Sequence, residues 1–268
     1  MHRRPRIAVA LAAALTAACV AVAPASGAAA SATAPRSGSV PSAAADGHVW
    51  SVRPQADGSV AYTAYRPAPG VSAARLYRLL AAQGVPGLLD PATAATPLTV
   101  ACAYSTAYAF NGGMCPPARW RWNGYSDPQV YFRDHTPAAW PVRASVTEWN
   151  RAVGVDSYWT TGPCPTSGRH CVHVWSGNYG TTGWTGNTSY RLDSSRFFID
   201  GSVWVELNDY YAASTVDRRN TACHELGHAL GVGHNLADAS CMYATDVPSN
   251  PQYPHSSDYN LLRYVLYP

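Results

Sequence analysis

Eleven consecutive residues, His224-Glu225-Leu226-Gly227-His228-Ala229-Leu230-Gly231-Val232-Gly233-His234, carry the side chains best suited to chemistry in this chain. On a helix, residues four apart lie on one face, so His224 and His228 can direct imidazole nitrogens at a single zinc ion. Glu225 then stands beside that ion, poorly placed as a ligand but well placed to hold a water and take its proton. Gly231 can adopt the left-handed conformation that ends a helix, and the turn brings His234 round as a third ligand. At background composition H-E-x-x-H arises by chance in about one chain in a hundred of this length, and adding Gly231 and His234 lowers that to about one in 100,000. A helix of merely packed histidines is therefore a weak competitor.

The elements that must position these residues can be read around them. The metal helix is expected from Ser214 or Thr215, with Asp217 in its first turn, to Gly231. Before it, Gln129–Arg133 reads as a strand, Pro141 to Val153 as a helix burying Val142, Val146, Trp149 and Val153, and His170–Trp175 as a second strand. His170 and His173 are three apart on that strand and face opposite sides, so ordinary core or surface histidines are favoured over a second metal site. Between Ser176 and Ser195 the composition of Gly, Thr, Ser and Asn suggests a long loop with one short edge strand near residues 183–186. Asn187-Thr188-Ser189 fits a glycosylation acceptor and marks a surface loop at most. Arg196–Ile199 and Ser202–Leu207 flank Asp200-Gly201, a hairpin signal. After Met242 a loop leads to a final helix, capped by Ser256 or Ser257, with Asp258 in its first turn and Leu261, Leu262, Val265 and Leu266 buried.

The eleven-residue run resembles the H-E-x-x-H-x-x-G-x-x-H signature of the metzincin zinc endopeptidases, and Met242 in Ser240-Cys241-Met242-Tyr243 stands where their Met-turn methionine would be. The expected order of elements is also similar over most of residues 125 to 268. The resemblance implies an α+β catalytic domain with a twisted, mostly parallel sheet, an antiparallel edge strand and three helices. It implies one catalytic Zn2+ on His224, His228 and His234, Glu225 as general base, and Met242 as an apolar floor. An extended peptide or protein substrate would pair with the edge strand. Asn235 after the third histidine matches no single metzincin family. Tyr243 directly after Met242 is as in matrixins, so matrixin-like is the nearest label. The acids of the usual matrixin calcium sites are not evident, so the sequence does not support calcium dependence. A catalytically silent, exported zinc-binding module is the rival reading.

The compartment follows from the start of the chain and its cysteines. Met1-His2-Arg3-Arg4-Pro5-Arg6, the apolar run Ile7 to Ala23 and the small residues after it predict a signal peptide over residues 1–28. An uncleaved membrane anchor, or lipidation at Cys19, is a less favoured alternative. With Cys19 in the leader, six cysteines remain, and an exported chain is expected to pair them as disulfides. Fifteen pairings are formally possible, and proximity groups Cys102 with Cys115, Cys164 with Cys171, and Cys223 with Cys241. A thiolate on zinc is disfavoured because three histidines already fill the protein's share of a catalytic site. Of 19 basic residues, all arginine, Arg3, Arg4 and Arg6 leave with the leader, so the remainder balances the 16 acids. No basic stripe remains to bind nucleic acid, and no further run reaches membrane-spanning length. Oligomeric state is not legible.

Residues 29–98 form the second expected region: a low-complexity spacer to about Asp46, then a small unit. That unit has two alternating stretches about Asp57-Gly58 and a helix from Val71 to Gln83 bearing Leu76, Leu79 and Leu80. It is expected to be either a propeptide covering the cleft, without a matrixin-type cysteine switch, or an ordinary N-terminal subdomain. Residues 99–268 are the expected catalytic domain.

Overall fold

The structure is a computed structural model that describes residues 47–93, 102–110, 116–245 and 247–268. The expected signal peptide, the spacer to about Asp46, and Cys115 lie outside these residues. The first elements are strand β1 (Val49–Pro54), strand β2 (Val60–Pro67) and helix α1 (Ala73–Ala82). The β1–β2 hairpin turns where Asp57-Gly58 predicts it, with Gly58 at φ 80°. Ser72 caps α1, whose Leu76 and Leu80 bury against Val49 and Trp184. Two short strands follow, β3 (Ala103–Tyr104) and β4 (Ala107–Ala109).

The centre of the fold is built from β5 (Gln129–Asp134), α2 (Val142–Trp149), β6 (Asp156–Thr160), β7 (His170–Gly177), β8 (Trp184–Leu192) and β9 (Trp204–Asn208). In the seven-stranded sheet the order is β1-β2-β8-β9-β7-β5-β6. β5, β6, β7 and β9 run parallel, β8 runs antiparallel to β9, and β2 runs antiparallel to β8. Hydrophobic side chains such as Val130, Phe132, Val172, Val174, Val205 and Leu207 cover one face and pack under the helices. Helix α3 (Thr215–Ala229), strand β10 (Val232–Asn235), helix α4 (Ser256–Leu261) and a π-helical turn over Leu262–Leu266 complete the chain. β10 joins β4 and β3 in a second, three-stranded sheet.

This is a mixed α/β fold whose sheet is mostly parallel over residues 129–208. Several expectations are corrected. β8 is a nine-residue strand where composition suggested a loop, because both of its edges are paired and nearly all of it is buried. Tertiary pairing here overrides the weak strand preference of Gly, Asn and Ser. The antiparallel strand is consequently not at an edge: β2 covers it along eight residues, from Val60 opposite Leu192 to Pro67 opposite Trp184. Asn187 is 2% exposed and donates to Glu206 Oε2 at 3.0 Å, so its tripeptide is a buried strand segment and not a surface loop.

Other boundaries shift for local reasons. Helix α2 stops at Trp149, leaving Val153 54% exposed. Arg196–Ile199 makes only isolated bridges, and β9 finds its antiparallel partner in β8. His255, not a serine, caps α4: its ring accepts from the Ser257 amide while its own backbone amide donates to Asp258. No described helix is long and apolar enough to cross a membrane.

Candidate metal centre

Helix α3 is set by its ends. Ser214 and Asp217 form a reciprocal capping box at the start, which satisfies otherwise orphaned amides and places a carboxylate at the positive end of the helix. At the far end Leu230 is the last cap, and Gly231 takes φ 94°. A Cβ on Gly231 would lie 2.3 Å from the Ala118 carbonyl oxygen, so both conformation and space demand glycine there. Trp120 Nε1 donates to the Ala229 carbonyl and the Tyr267 hydroxyl to that of Leu230, both at 2.9 Å. The helix end is thereby held as the chain reverses into β10, which carries His234.

His224, His228 and His234 come together as the sequence predicts, and a fourth histidine joins them. His48, just before β1, belongs to the same buried group, in which one ligand atom from each residue lies within 4.8 Å of every other. His48 Nε2 is 3.2 Å from His224 Nε2, which is 3.0 Å from His228 Nε2. The backbone fixes two of the tautomers. His224 donates from Nδ1 to the Cys241 carbonyl at 2.7 Å, and His228 donates from Nδ1 to the Val232 carbonyl at 2.9 Å. A neutral imidazole protonated at Nδ1 has its lone pair on Nε2. Burial, then the charge of Arg66, lowers the His224 pKa well below its usual value, so that ring stays neutral. With both Nδ1 atoms engaged, the Nε2 atoms of His224 and His228 point at one another, an arrangement in which a shared cation can be held.

The donor set fits zinc. Tetrahedral coordination with bonds of about 2.05 Å would put ligand nitrogens about 3.3 Å apart, close to the spacings found. Donation of the second ring nitrogen to a carbonyl is the outer contact that orients metal-bound histidines. Cys164, Cys171 and His173 form a second cluster, but the two sulfurs are joined in a disulfide and are not free to ligate. His173 contacts His135 across β5 and β7, and His170 bonds Asp200 and the Arg121 carbonyl on the other face, as expected of structural histidines.

Glu225 is fully buried beside the cluster without belonging to it. The Thr188 hydroxyl, at 3.0 Å from the Glu225 carbonyl oxygen and 2.7 Å from carboxylate Oε2, holds both, while Oε1 has no hydrogen-bond partner. Burial pushes the carboxyl up to about 8, against the pull of the Thr188 hydroxyl and the Arg66 charge. The strand carrying Thr188 approaches so closely that a Cβ on Gly186 would sit 2.8 Å from Glu225 Cγ and Oε1.

Met242 lies directly under the helix, fully buried. A Cβ on Gly227 would be 2.4 Å from its sulfur and 2.6 Å from Trp149. The turn bearing it is braced by a buried network. Asp258 accepts from the Ser240 hydroxyl at 2.6 Å and from Asn235 Nδ2 at 2.7 Å, and Ser240 Oγ accepts from the Met242 amide at 2.9 Å. Asn235 is thus a bracing residue between β10, the turn and α4. The disulfide Cys223–Cys241 ties the helix to the same turn, and Cys164–Cys171 is the second described bridge. Cys102 is also disulfide-bonded, and Cys115, its expected partner, lies outside the described residues. Among the described residues no cysteine belongs to the centre, and disulfides fit an oxidising, extracellular compartment.

The sequence did not single out His48, Arg66, Gly186 or Thr188. His48 stands 176 residues from His224 with no spacing motif to announce it. Comparison with models of known protein families, and with curated proteins, finds no match.

Proposed function

We propose that the chain is a secreted zinc-dependent endopeptidase of metzincin type, nearest to matrixins. The observation that carries this reading is the convergence of His224, His228 and His234 around a position flanked by a buried carboxylate with one oxygen tethered and the other free. Further support comes from the order of strands and helices over residues 129–266, and from Met242 packed against Gly227. The three histidines, with His48 in the present arrangement, would hold the ion. Zinc, when bound, acidifies water and polarises a scissile carbonyl.

The chain's own residues divide the remaining work. Thr188 fixes Oε2 of Glu225, so Oε1 is the atom left to accept a proton from the attacking water and return it to the departing amine. Strand β8 runs alongside the helix and offers main-chain groups to an extended peptide, a pairing that gives affinity with little dependence on side chains. In the present arrangement β2 holds that place.

The test is hydrolysis of a casein-type substrate that a chelator abolishes and zinc restores. It is measured on the intact chain and on chain cut at a specific-protease site introduced after the exposed Thr93. Glu225→Gln is expected to keep its zinc and lose about a thousandfold or more of the activity. Equal cleavage by the variant would refute the role of Glu225. A second reading, a silent zinc-binding module, is favoured by the fourth imidazole, since structural zinc sites are closed and catalytic ones keep a position open. Chelator-sensitive cleavage by either form of the chain excludes it.

A further inference from the structure

We infer that the N-terminal segment from Gly47 to Pro67 is an internal plug for the metal site: His48 supplies a fourth ligand, and β2 fills the strand edge that a peptide substrate would use. The inference rests on the endopeptidase reading for its consequence, latency, but its metal-ligand half stands on geometry alone.

Two separate contacts carry it. His48 is 1% exposed, and its ring stacks on His224 at 5.1 Å between centroids and lies 4.3 Å from that of His234. Its Nε2 faces the Nε2 lone pair of His224 at 3.2 Å. Three histidines from α3 and β10 leave a tetrahedral ion one position open, and a fourth imidazole completes the shell. The second contact is the sheet. β2 pairs with β8 across eight residues, the antiparallel ladder shifting only near Arg66, so β8 is paired on both sides over Gly186–Ser189, the stretch that passes Glu225. Ala64, opposite Thr188, and Arg66, opposite Gly186, are buried where β8 passes Glu225.

The plug is tight, with Ala64 inside the main core and Trp50 and Tyr62 packed against it. Its strands join the rest of the sheet through one seam, β2 on β8, while β1 pairs only with β2 among the strands. Behind it α1 forms its own small cluster of Val49, Leu76, Leu80 and Trp184, distinct from the main core. Exposed Ala92 and Thr93 follow, where a cut would separate the segment from the chain that carries the other three histidines. Exposed positions of this kind are where proteolytic nicking is best tolerated.

The experiment uses full-length protein loaded with Co2+ in place of zinc, and azide as a small ligand that enters only an open coordination position. In the parent protein azide is expected to leave the visible cobalt spectrum unchanged. In His48→Ala, and in chain cut after Thr93 and freed of its N-terminal segment, azide is expected to shift it. Binding of Co2+ to His48→Ala should weaken at least tenfold in competition with a chelator. A spectrum that responds to azide in the parent as it does in the variant overturns the fourth-ligand assignment, and so does one that responds in neither. If His48→Ala does not fold, the cut chain gives the same reading.

Peptide hydrolysis is the second readout, expected to rise at least tenfold in His48→Ala or in the cut chain. A positive azide result with no hydrolysis in any form leaves His48 as a ligand and removes the endopeptidase reading. Hydrolysis that is equally fast in the intact chain removes the plug.

Discussion

Single atoms decide this site more than residue types do. Glu225 occupies the position that H-E-x-x-H assigns to a base, yet what would make it usable as one is the Thr188 hydroxyl on one oxygen and the room that Gly186 leaves beside the other. Gly186→Ala therefore tests positioning without touching a ligand. The added Cβ would lie 2.8 Å from Glu225 Cγ and Oε1 and 3.0 Å from Cδ, so the carboxylate must move while the strand backbone stays. Since a misplacement of about 1 Å can cost about a hundredfold in rate, kcat is expected to fall by that order with zinc content unchanged. A variant with full kcat would show that Glu225 tolerates displacement, and one lacking zinc would place the damage in the metal cage. That His224, His228 and His234 converge with Glu225 beside them was legible in the sequence because helical periodicity and the glycine turn fix them locally. Thr188, Gly186 and His48 were not, because each reaches the site across the sheet from a segment whose own pattern carries no sign of a partner.

At the scale of elements the metal helix is held from both sides, and the disulfide Cys223–Cys241 couples its two supports. Cys241 also gives its carbonyl to His224 Nδ1, so the bridge fixes the atom that sets the tautomer of that histidine. Proximity in the sequence suggested the pairing, whereas its effect on the tautomer depends on how the Met242 turn folds back. Closing a loop between positions 18 residues apart stabilises a fold by about 3 kcal/mol in the chain-entropy account. Replacing both cysteines by alanine is expected to lower stability by about that amount. Zinc affinity should fall too, about tenfold or more, as it does when the outer contacts of a ligand are lost. Chelator competition alongside chemical denaturation separates the effects: a stability loss with unchanged zinc affinity would confine the bridge to a structural role. The same folding-back explains why helix α3 was predictable to its caps and β8 was not. α3 is specified by Ser214, Asp217 and Gly231 within its own sequence, whereas β8 exists because β2 and β9 satisfy its backbone.

Across the whole molecule the N-terminal hairpin extends the sheet beyond β8, and it is fastened at opposite ends. One fastening is His48 at the metal centre; the other is the hairpin turn, where Asp57 meets Arg191 of β8. Bonds from the Ser59 hydroxyl and amide, with Arg191, bring the Asp57 carboxyl from its usual 3.8 down to about 2. A carboxylate whose pKa is lower folded than unfolded contributes fully above the unfolded value and loses that contribution as pH falls through the folded one. The turn is therefore expected to loosen between about pH 4 and pH 2. Asp57 is on the surface, where salt and solvent weaken such contacts, so the effect should be local to the hairpin and not a global unfolding. Amide exchange tests it, with β5 and β7 in the same sample as the reference for residues unaffected by the turn. Protection of β1 and β2 relative to that reference should decline with acid in the parent protein. Asp57→Asn should start lower at pH 5 and show no such decline, since it has no proton to gain. If the variant matches the parent at every pH, the Asp57 contact contributes nothing to holding the hairpin, which the β2–β8 ladder and the His48 end then hold without it.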